Sequence, residues 1–283
     1  MSRLIAFLTD YGYADTYVAQ VKAVLMRLCP TCEVLDLTHG VPPQNVRSGA
    51  YLLASATPYL PDGTIVIAVV DPGVGTARRA VAVQGLRHTY FAPDNGLLCL
   101  ALRDDPPQKA VVLDNPRYHL PEVSATFHGR DLFAPCAAHF ANGVPLEQLG
   151  TAVPPDTLQQ LPHLEPEFTP DAVYCRPLHT DHFGNVVFNL RREAFRKWLG
   201  DDSVPVRLRL AGLRGETVEL PLVRTFGEVG WGEPLAYWGS SGYLEIAING
   251  GSAVERFKIR DDTLLILVAE CPAERRVIGS ADR

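Results

Sequence analysis

The chain has 283 residues, enough for one large domain or two ordinary ones, and 47% of them are hydrophobic, which excludes disorder as the main state. Its 26 basic and 32 acidic residues give a net charge of -6 with no long Lys or Arg run, so the charge pattern speaks against nucleic acid as a partner. The longest unbroken apolar runs, Ile65 to Val70, Leu97 to Leu102 and Leu264 to Ala269, hold six residues each, against about 20 needed to cross a bilayer.

At the N-terminus the apolar stretch Leu4 to Leu8 is too short for a signal peptide and is ended by Thr9-Asp10 rather than by small residues, so a cytoplasmic protein is expected. Leu4 to Leu8 reads instead as the first strand. Ala14 to Leu28 carries Val18, Val21, Leu25 and Leu28 at helical spacing, with Pro30 as a stop. Val34 to Leu37 is a strand, Val46 to Tyr59 a helix, and Ile65 to Val70 a strand whose unbroken apolarity implies burial on both faces. Further strands follow at Ala80 to Val83 and Thr89 to Phe91, and a helix from Arg130 to Ala141. Alternation of this kind predicts an α/β domain with a mostly parallel sheet over residues 1–150.

Five prolines between Thr151 and Ala172 and the loss of apolar periodicity predict a linker over 151–172. Beyond it, Val173 to Leu178, Val186 to Asn189, Val206 to Leu210, Val218 to Leu220, Tyr243 to Ile248 and Leu264 to Val268 are strand-like, with one helix near Glu193 to Leu199. Short strands at close spacing predict a small β-barrel or sandwich over 173–283.

Candidate sites follow from residue type and position. Asp10, after the first strand and before a helix, stands where open α/β sheets hold ligands, and a carboxylate there accepts two hydrogen bonds from a ribose diol; an Asx-turn or helix cap explains it equally, with Asp15 the better candidate for a cap. The loop Asp71-Pro72-Gly73-Val74-Gly75-Thr76-Ala77-Arg78-Arg79 leaves the most buried predicted strand with two glycines, a carboxylate and a guanidinium, and is either a turn or a ligand loop. It lacks the spacing and lysine of a phosphate loop. His128, in Thr126-Phe127-His128-Gly129-Arg130-Asp131, lies at a helix entrance whose positive dipole favours a neutral ring, or is a structural hydrogen-bonder. Asp10, Asp71, His128 and Asp131 show no local metal-ligand spacing, and no metal is expected.

Cys29-Pro30-Thr31-Cys32 ends a helix, where the dipole raises rather than lowers a thiol pKa, and it is only half a zinc site. No disulfide is expected among the six cysteines. In the second half, Asp181-His182-Phe183-Gly184-Asn185 and the segment Tyr237 to Gly251 read as hairpin turns, yet they also place Phe183 and Asn185 on one turn, and Glu245 and Asn249 at the ends of an apolar strand. Aromatic stacking on a base with amide readout of its edge is the functional alternative.

Read together, the blocks LTDYG, DLTHGVPP, VVDPGVGTARRAV, PDNGLL, TFHGRDLFAP, DHFGNVVFN and YLEIAINGGSA resemble, in order and over nearly the whole chain, the S-adenosyl-L-methionine hydroxide adenosyltransferase family. The resemblance implies an enzyme related to fluorinases and chlorinases in fold that splits S-adenosylmethionine with water into adenosine and L-methionine, without a cofactor. It implies an N-terminal α/β domain, a C-terminal β-barrel and a homotrimer with active sites between subunits. Residue by residue, it puts catalytic roles on Asp71, Arg78 and His128, the ribose on Asp10, adenosine contacts on Asn185, Ser240, Glu245 and Ile248, base stacking on Phe183 and the methionine ammonium on Asp181. Ser241 stands where the halogenases carry an Arg.

The chemistry the resemblance implies needs no general acid, because the sulfonium leaves as a neutral thioether; it needs a water held behind C5′ and relieved of a proton by His128 or Asp71. A halide rival shares substrate and fold, but a carboxylate about 4 Å from a bound anion costs on the order of 4 kcal/mol at an effective dielectric near 20. A non-catalytic nucleoside-binding protein would keep the adenosine contacts without needing Asp71, Arg78 and His128 together.

Overall fold

The structure is a computed structural model that describes residues 3–200, 206–211, 217–260 and 262–269. Contacts divide the chain between Leu161 and Pro162 into two compact units.

The first unit contains strands β1 (Leu4–Thr9), β2 (Glu33–Thr38), β3 (Ile65–Val69), β4 (Ala80–Gln84), β5 (Thr89–Pro93), β6 (Lys109–Val112) and β7 (Thr151–Val153), with helices α1 (Tyr17–Leu28), α2 (Val46–Ala56), α3 (Ala101–Asp104) and α4 (Ala134–Ala141). The strands form one sheet in the order β2-β1-β3-β5-β4-β6-β7. Pairings β1/β2, β1/β3 and β3/β5 are parallel, whereas β4/β5, β4/β6 and β6/β7 are antiparallel. Five of the seven strands therefore point the same way, so the sheet is mostly parallel.

Ile5, Phe7, Ile65, Ile67, Val69 and Phe91 pack with Val18, Val21 and Leu25 of α1 and Phe133 to Ala138 around α4. The alternate residues Ala6, Leu8, Val66 and Ala68 are buried as well, which is why these strands read as continuous apolar runs. α1 begins at Tyr17 after Thr16 and has no side-chain cap, so Asp15 does not cap it. α2 is capped by Asn45, whose side chain accepts the Ser48 N–H at 2.9 Å.

Chain order decides where a site can form. From β1 the chain turns outward to β2, then returns through α2 to β3 on the other side of β1. The crevice between the carboxyl ends of β1 and β3 is thus a topological switch point, the usual place for a ligand in an open α/β sheet. Thr9 and Val69 are register partners there. Asp10 and the loop starting at Asp71 follow these strand ends.

Residues 151–172 are shared between the units. β7 pairs with β6, Arg79 donates to the Thr157 hydroxyl at 3.2 Å, and the Gln159 N–H donates to Asp94 at 2.8 Å. The second unit holds β8 (Glu167–Phe168), β9 (Ala172–Cys175), β10 (Pro177–Thr180), β11 (Val186–Arg191), β12 (Val206–Ala211), β13 (Thr217–Leu220), β14 (Pro234–Trp238), β15 (Tyr243–Ile248) and β16 (Leu264–Ala269), with α5 (Arg192–Leu199) and α6 (Ala253–Phe257). In place of the expected barrel, the described residues form two antiparallel sheets, β10-β11-β15-β14 and β13-β12-β16-β9-β8, and no closed barrel. Val173, Phe188, Leu208, Leu244, Ile246 and Leu267 from both sheets share one core. The expected single strand from Val173 to Leu178 breaks at Arg176, whose N–H donates to the Asn189 side chain at 2.8 Å, so β9 and β10 enter different sheets.

A second departure is covalent. Cys29 and Cys32 form a disulfide, against the expectation of none; the turn after α1 brings their Cα atoms to 5.4 Å, and the Cys32 N–H donates to the Cys29 carbonyl at 3.0 Å. Cys99, Cys136 and Cys175 are free and buried, and Cys271 lies outside the described residues.

Asp105, just after α3, ties that helix to the β4–β5 turn: its buried carboxylate accepts the Arg87 N–H at 2.7 Å, the His88 N–H at 3.0 Å and the Tyr90 hydroxyl at 2.9 Å. Asp105→Ala strands these donors in a dry region and is expected to cost about 2 to 4 kcal/mol of stability. Urea unfolding of the variant measures it, and a loss below about 0.5 kcal/mol would show that water replaces the carboxylate freely.

Candidate active site

At the switch point the β3–β4 loop, residues 71–79, folds back on itself. The Val74 N–H donates to the Asp71 carbonyl at 3.2 Å, and the Thr76 hydroxyl to the Gly73 carbonyl at 2.7 Å. This tight path brings Arg78 back onto Asp71: the guanidinium Nε lies 2.9 Å and 3.0 Å from the two carboxylate oxygens, and Nη2 also donates to Oδ2. The Asp71 and Arg78 side chains keep only 5% and 10% of their surface exposed, so each charge depends on the other for solvation.

The same Nη2 lies 2.9 Å from Nδ1 of His128. A guanidinium only donates, so Nδ1 is the acceptor and a neutral His128 carries its proton on Nε2. Burial and the adjacent Arg78 charge hold the His128 pKa below the usual imidazole range, while Asp71 and Asp131 pull the other way. His128 precedes a wide π-type turn, Gly129–Phe133, that leads into α4.

Two glycines permit this closeness. Gly75 has φ +76°, and a Cβ there would run into the Ala125 carbonyl; a Cβ on Gly129 would overlap the phenol of Tyr11. Around them, the Asn95 amide donates to the Val70 carbonyl at 2.8 Å, one residue before Asp71, and Arg79 pairs with Asp94. Asp131 is fully buried, accepts the Ser124 N–H at 2.8 Å and pairs with Arg130, so it braces the loop carrying His128. Among the described residues no group of three or more His, Cys, Asp or Glu side chains could hold a metal.

Asp10 is half-buried, and one of its carboxylate oxygens accepts the Gln44 N–H at 2.8 Å. Tyr11 beside it rests against Tyr17 and Phe127, with ring centroids 6.0 Å and 5.7 Å away. The motif LTDYG contains Tyr11, but nothing in its spacing sets this ring apart from a core aromatic.

The remaining predicted residues lie in the second unit. Asp181 organises the β10–β11 turn: Oδ1 accepts the N–H groups of Phe183 and Asn185 at 2.9 Å, and Oδ2 accepts the Asn185 amide at 2.9 Å. Phe183 stands on that turn, 73% exposed. Glu245 is buried on β15; burial raises its pKa and Asp181 adds to the rise, against the hydrogen bond from the Tyr237 hydroxyl at 2.5 Å. Glu245 also fills the space where a Cβ on Gly239 would stand, under the turn that exposes Ser240. Ile248 ends β15 with its side chain in the core. Tyr237 had no assigned role in the sequence. It lies as far before Ser241 as Glu245 lies after it, and residues equidistant from a hairpin turn face each other, as the register confirms.

Residues 5–150 match the SAM hydroxide adenosyltransferase N-terminal domain and residues 176–265 match its C-terminal domain. The chain belongs to the SAM hydroxide adenosyltransferase family. It is 48% identical over 268 residues to an (R)-S-adenosyl-L-methionine hydrolase from Thermus thermophilus, covering 92% of this chain and 97% of that protein. A fluorinase from Actinoplanes sp. is 30% identical over 283 residues, covering 91% and 94%. The crystal structure of a conserved protein from Thermotoga maritima superposes with a TM-score of 0.83 at 34% identity, over 93% of this chain and 99% of that one.

Burial and Arg78 favour the neutral form of His128. The neutral ring's contribution to stability is present above about pH 6.5, the ordinary imidazole value, and is lost as pH falls through the lowered folded value. In an NMR titration the His128 midpoint is expected below that of a free histidine. Arg78→Met removes a repelling cation and leaves Asp71 to attract the imidazolium, so the midpoint should rise; an unchanged midpoint would mean that Arg78 does not govern the ring.

Proposed function

We propose that this protein is an S-adenosyl-L-methionine hydrolase in which Asp71, Arg78 and His128 act on the attacking water. One observation carries the reading: the three side chains, drawn from two loops, form a continuous hydrogen-bonded chain in a nearly dry crevice at the switch point. A turn-only role for Asp71 would not call for a buried guanidinium bridging it to an imidazole.

Water oxygen bonds to C5′ of S-adenosylmethionine as the C5′–S bond breaks, and the bonding pair stays on sulfur as the neutral thioether of L-methionine. One water proton must leave. His128 is poorly placed to take it, because Nδ1 is engaged by Arg78 and Nε2 already bears hydrogen. Asp71 takes the proton: each carboxylate oxygen has two lone pairs, and Oδ1 holds one bond to Arg78 Nε. Arg78 keeps the carboxylate oriented, and His128 holds Arg78 from its other side.

In this reading Asp10 binds the ribose, and Phe183, Asn185, Ser240, Glu245 and Ile248 meet adenosine, with Asp181 toward the methionine ammonium. Support comes from the buried carboxylate of Glu245, the exposed ring of Phe183 and the tight turn at Ser240. The engaged state of Asp181 leaves it little free acceptor capacity, so its ammonium contact would use the remaining lone pair on Oδ2. We further propose a cytoplasmic homotrimer with each active site between subunits, working without metal or cofactor. Among the described residues, no helix is long and apolar enough to cross a membrane. A halide in place of water is disfavoured by the Asp71 carboxylate and by the lower identity to the fluorinase.

Purified protein given S-adenosylmethionine is expected to yield adenosine and L-methionine at the same rate with chelator or with added chloride. A 5′-halogenated nucleoside as main product would reverse the reading. Asp71→Asn keeps shape and turn-forming capacity but loses the proton acceptor, so kcat should fall about 10²-fold or more while adenosine Kd changes little. An unchanged kcat would return Asp71 to a structural role. Light scattering should give three times the chain mass, and a fully active monomer would remove the shared site.

A further inference from the structure

The Asp71–Arg78–His128 chain accounts for one of the two protons of an attacking water. A water with a single hydrogen-bonded proton still rotates about that bond, so its lone pair is not aimed at C5′. A second fixed polar group is needed. Tyr11 meets the requirement by position. Its phenol lies against Gly129, the residue after His128, so closely that no Cβ fits there. Its ring is held edge-on to Phe127 at 5.7 Å and against Tyr17 at 6.0 Å, and Phe127 is in turn covered by the Arg130 guanidinium at 4.8 Å.

The hydroxyl is unspent. Among the described residues it has no protein hydrogen-bond partner, and it is not sealed from solvent. A phenol packed this tightly usually finds a partner. The charges that act on it are Asp10, Asp71 and Arg78, the groups that surround the crevice.

We propose that the Tyr11 hydroxyl is a further catalytic residue, accepting a hydrogen bond from the second proton of the attacking water while Asp71 receives the first. This rests on the hydrolase reading above. The second proton never leaves the oxygen; it remains as the 5′-hydroxyl hydrogen of adenosine, so Tyr11 gains and loses nothing. Burial and the neighbouring carboxylates of Asp10 and Asp71 push the phenol pKa well above its ordinary value, which keeps Tyr11 a neutral hydrogen-bonding group rather than a base.

Tyr11→Phe removes the oxygen and keeps the ring between Phe127 and Tyr17. Expected is a fall in kcat on the order of tenfold, with the KM for S-adenosylmethionine, the adenosine Kd and the Tm all close to wild type. Tyr17→Phe, a change in the same aromatic cluster but on an exposed ring, should leave kcat unaltered. An unchanged kcat in Tyr11→Phe overturns the proposal, and so does a joint loss of kcat and adenosine affinity, which would put the hydroxyl on the nucleoside. A drop in both variants together with Tm would assign the cluster to packing alone and also overturn it. Wild-type protein that makes no adenosine would instead sink the hydrolase reading, whereas an active wild type with an equally active Tyr11→Phe removes only Tyr11.

Discussion

Arg78 stands between a carboxylate and an imidazole that would each be costly to bury alone. Its guanidinium satisfies both carboxylate oxygens of Asp71 through Nε and Nη2 and, from Nη2 as well, the Nδ1 of His128. A single planar cation with a rigid fork of donors can do this, whereas a lysine ammonium could not match the carboxylate with two parallel bonds. Several groups near the switch point keep that fork in place. Removing it would leave an unpaired carboxylate in a crevice with little access to water, which is among the most destabilising changes a folded chain can suffer.

The supports are mostly side chains that reach across the fold. Asn95 holds the Val70 carbonyl just ahead of Asp71, Arg79 and Asp94 pin the far end of the same loop, and Gly75 lets the loop lie on the Ala125 carbonyl. Asp131 and Arg130 do the equivalent for the segment that carries His128, with Arg130 also reaching Gln20 of α1 at 2.9 Å. Polar groups of the first unit thus fall into two sets. One set is saturated and braces loops; the other, with Tyr11 and one face of Asp71, retains bonding capacity.

In the second unit the balance differs. Asp181 is consumed by its own turn, and Glu245 is buried with a raised pKa and a single Tyr237 donor. The two carboxyl groups sit within electrostatic reach of one another, and Asp181 shapes the β10–β11 turn.

Much of this was legible in the chain itself. Apolar runs and helical spacing marked β1, α1, β2, α2 and β3, and from their alternation the carboxyl-end positions of Asp10 and Asp71 followed, because strand periodicity and turn residues act over a few neighbours. Sequence order also placed His128 at a helix entrance. What only the tertiary structure decided are relations across long separations: the bond between Arg78 and His128, 50 residues apart, and with it the tautomer that puts the proton of a neutral ring on Nε2. The same holds for the phenol of Tyr11 on Gly129, the break at Arg176 that sends β9 and β10 to different sheets, and the two antiparallel sheets of the second unit, where strand spacing allowed a barrel or a sandwich alike. The Cys29–Cys32 disulfide is the local exception, since its formation turns on backbone geometry at a helix end that residue types alone do not specify. Residue type and spacing encode which groups are available and which strand ends carry them; hydrogen-bond direction depends on distances of a few tenths of an ångström, and those exist only once the core has closed.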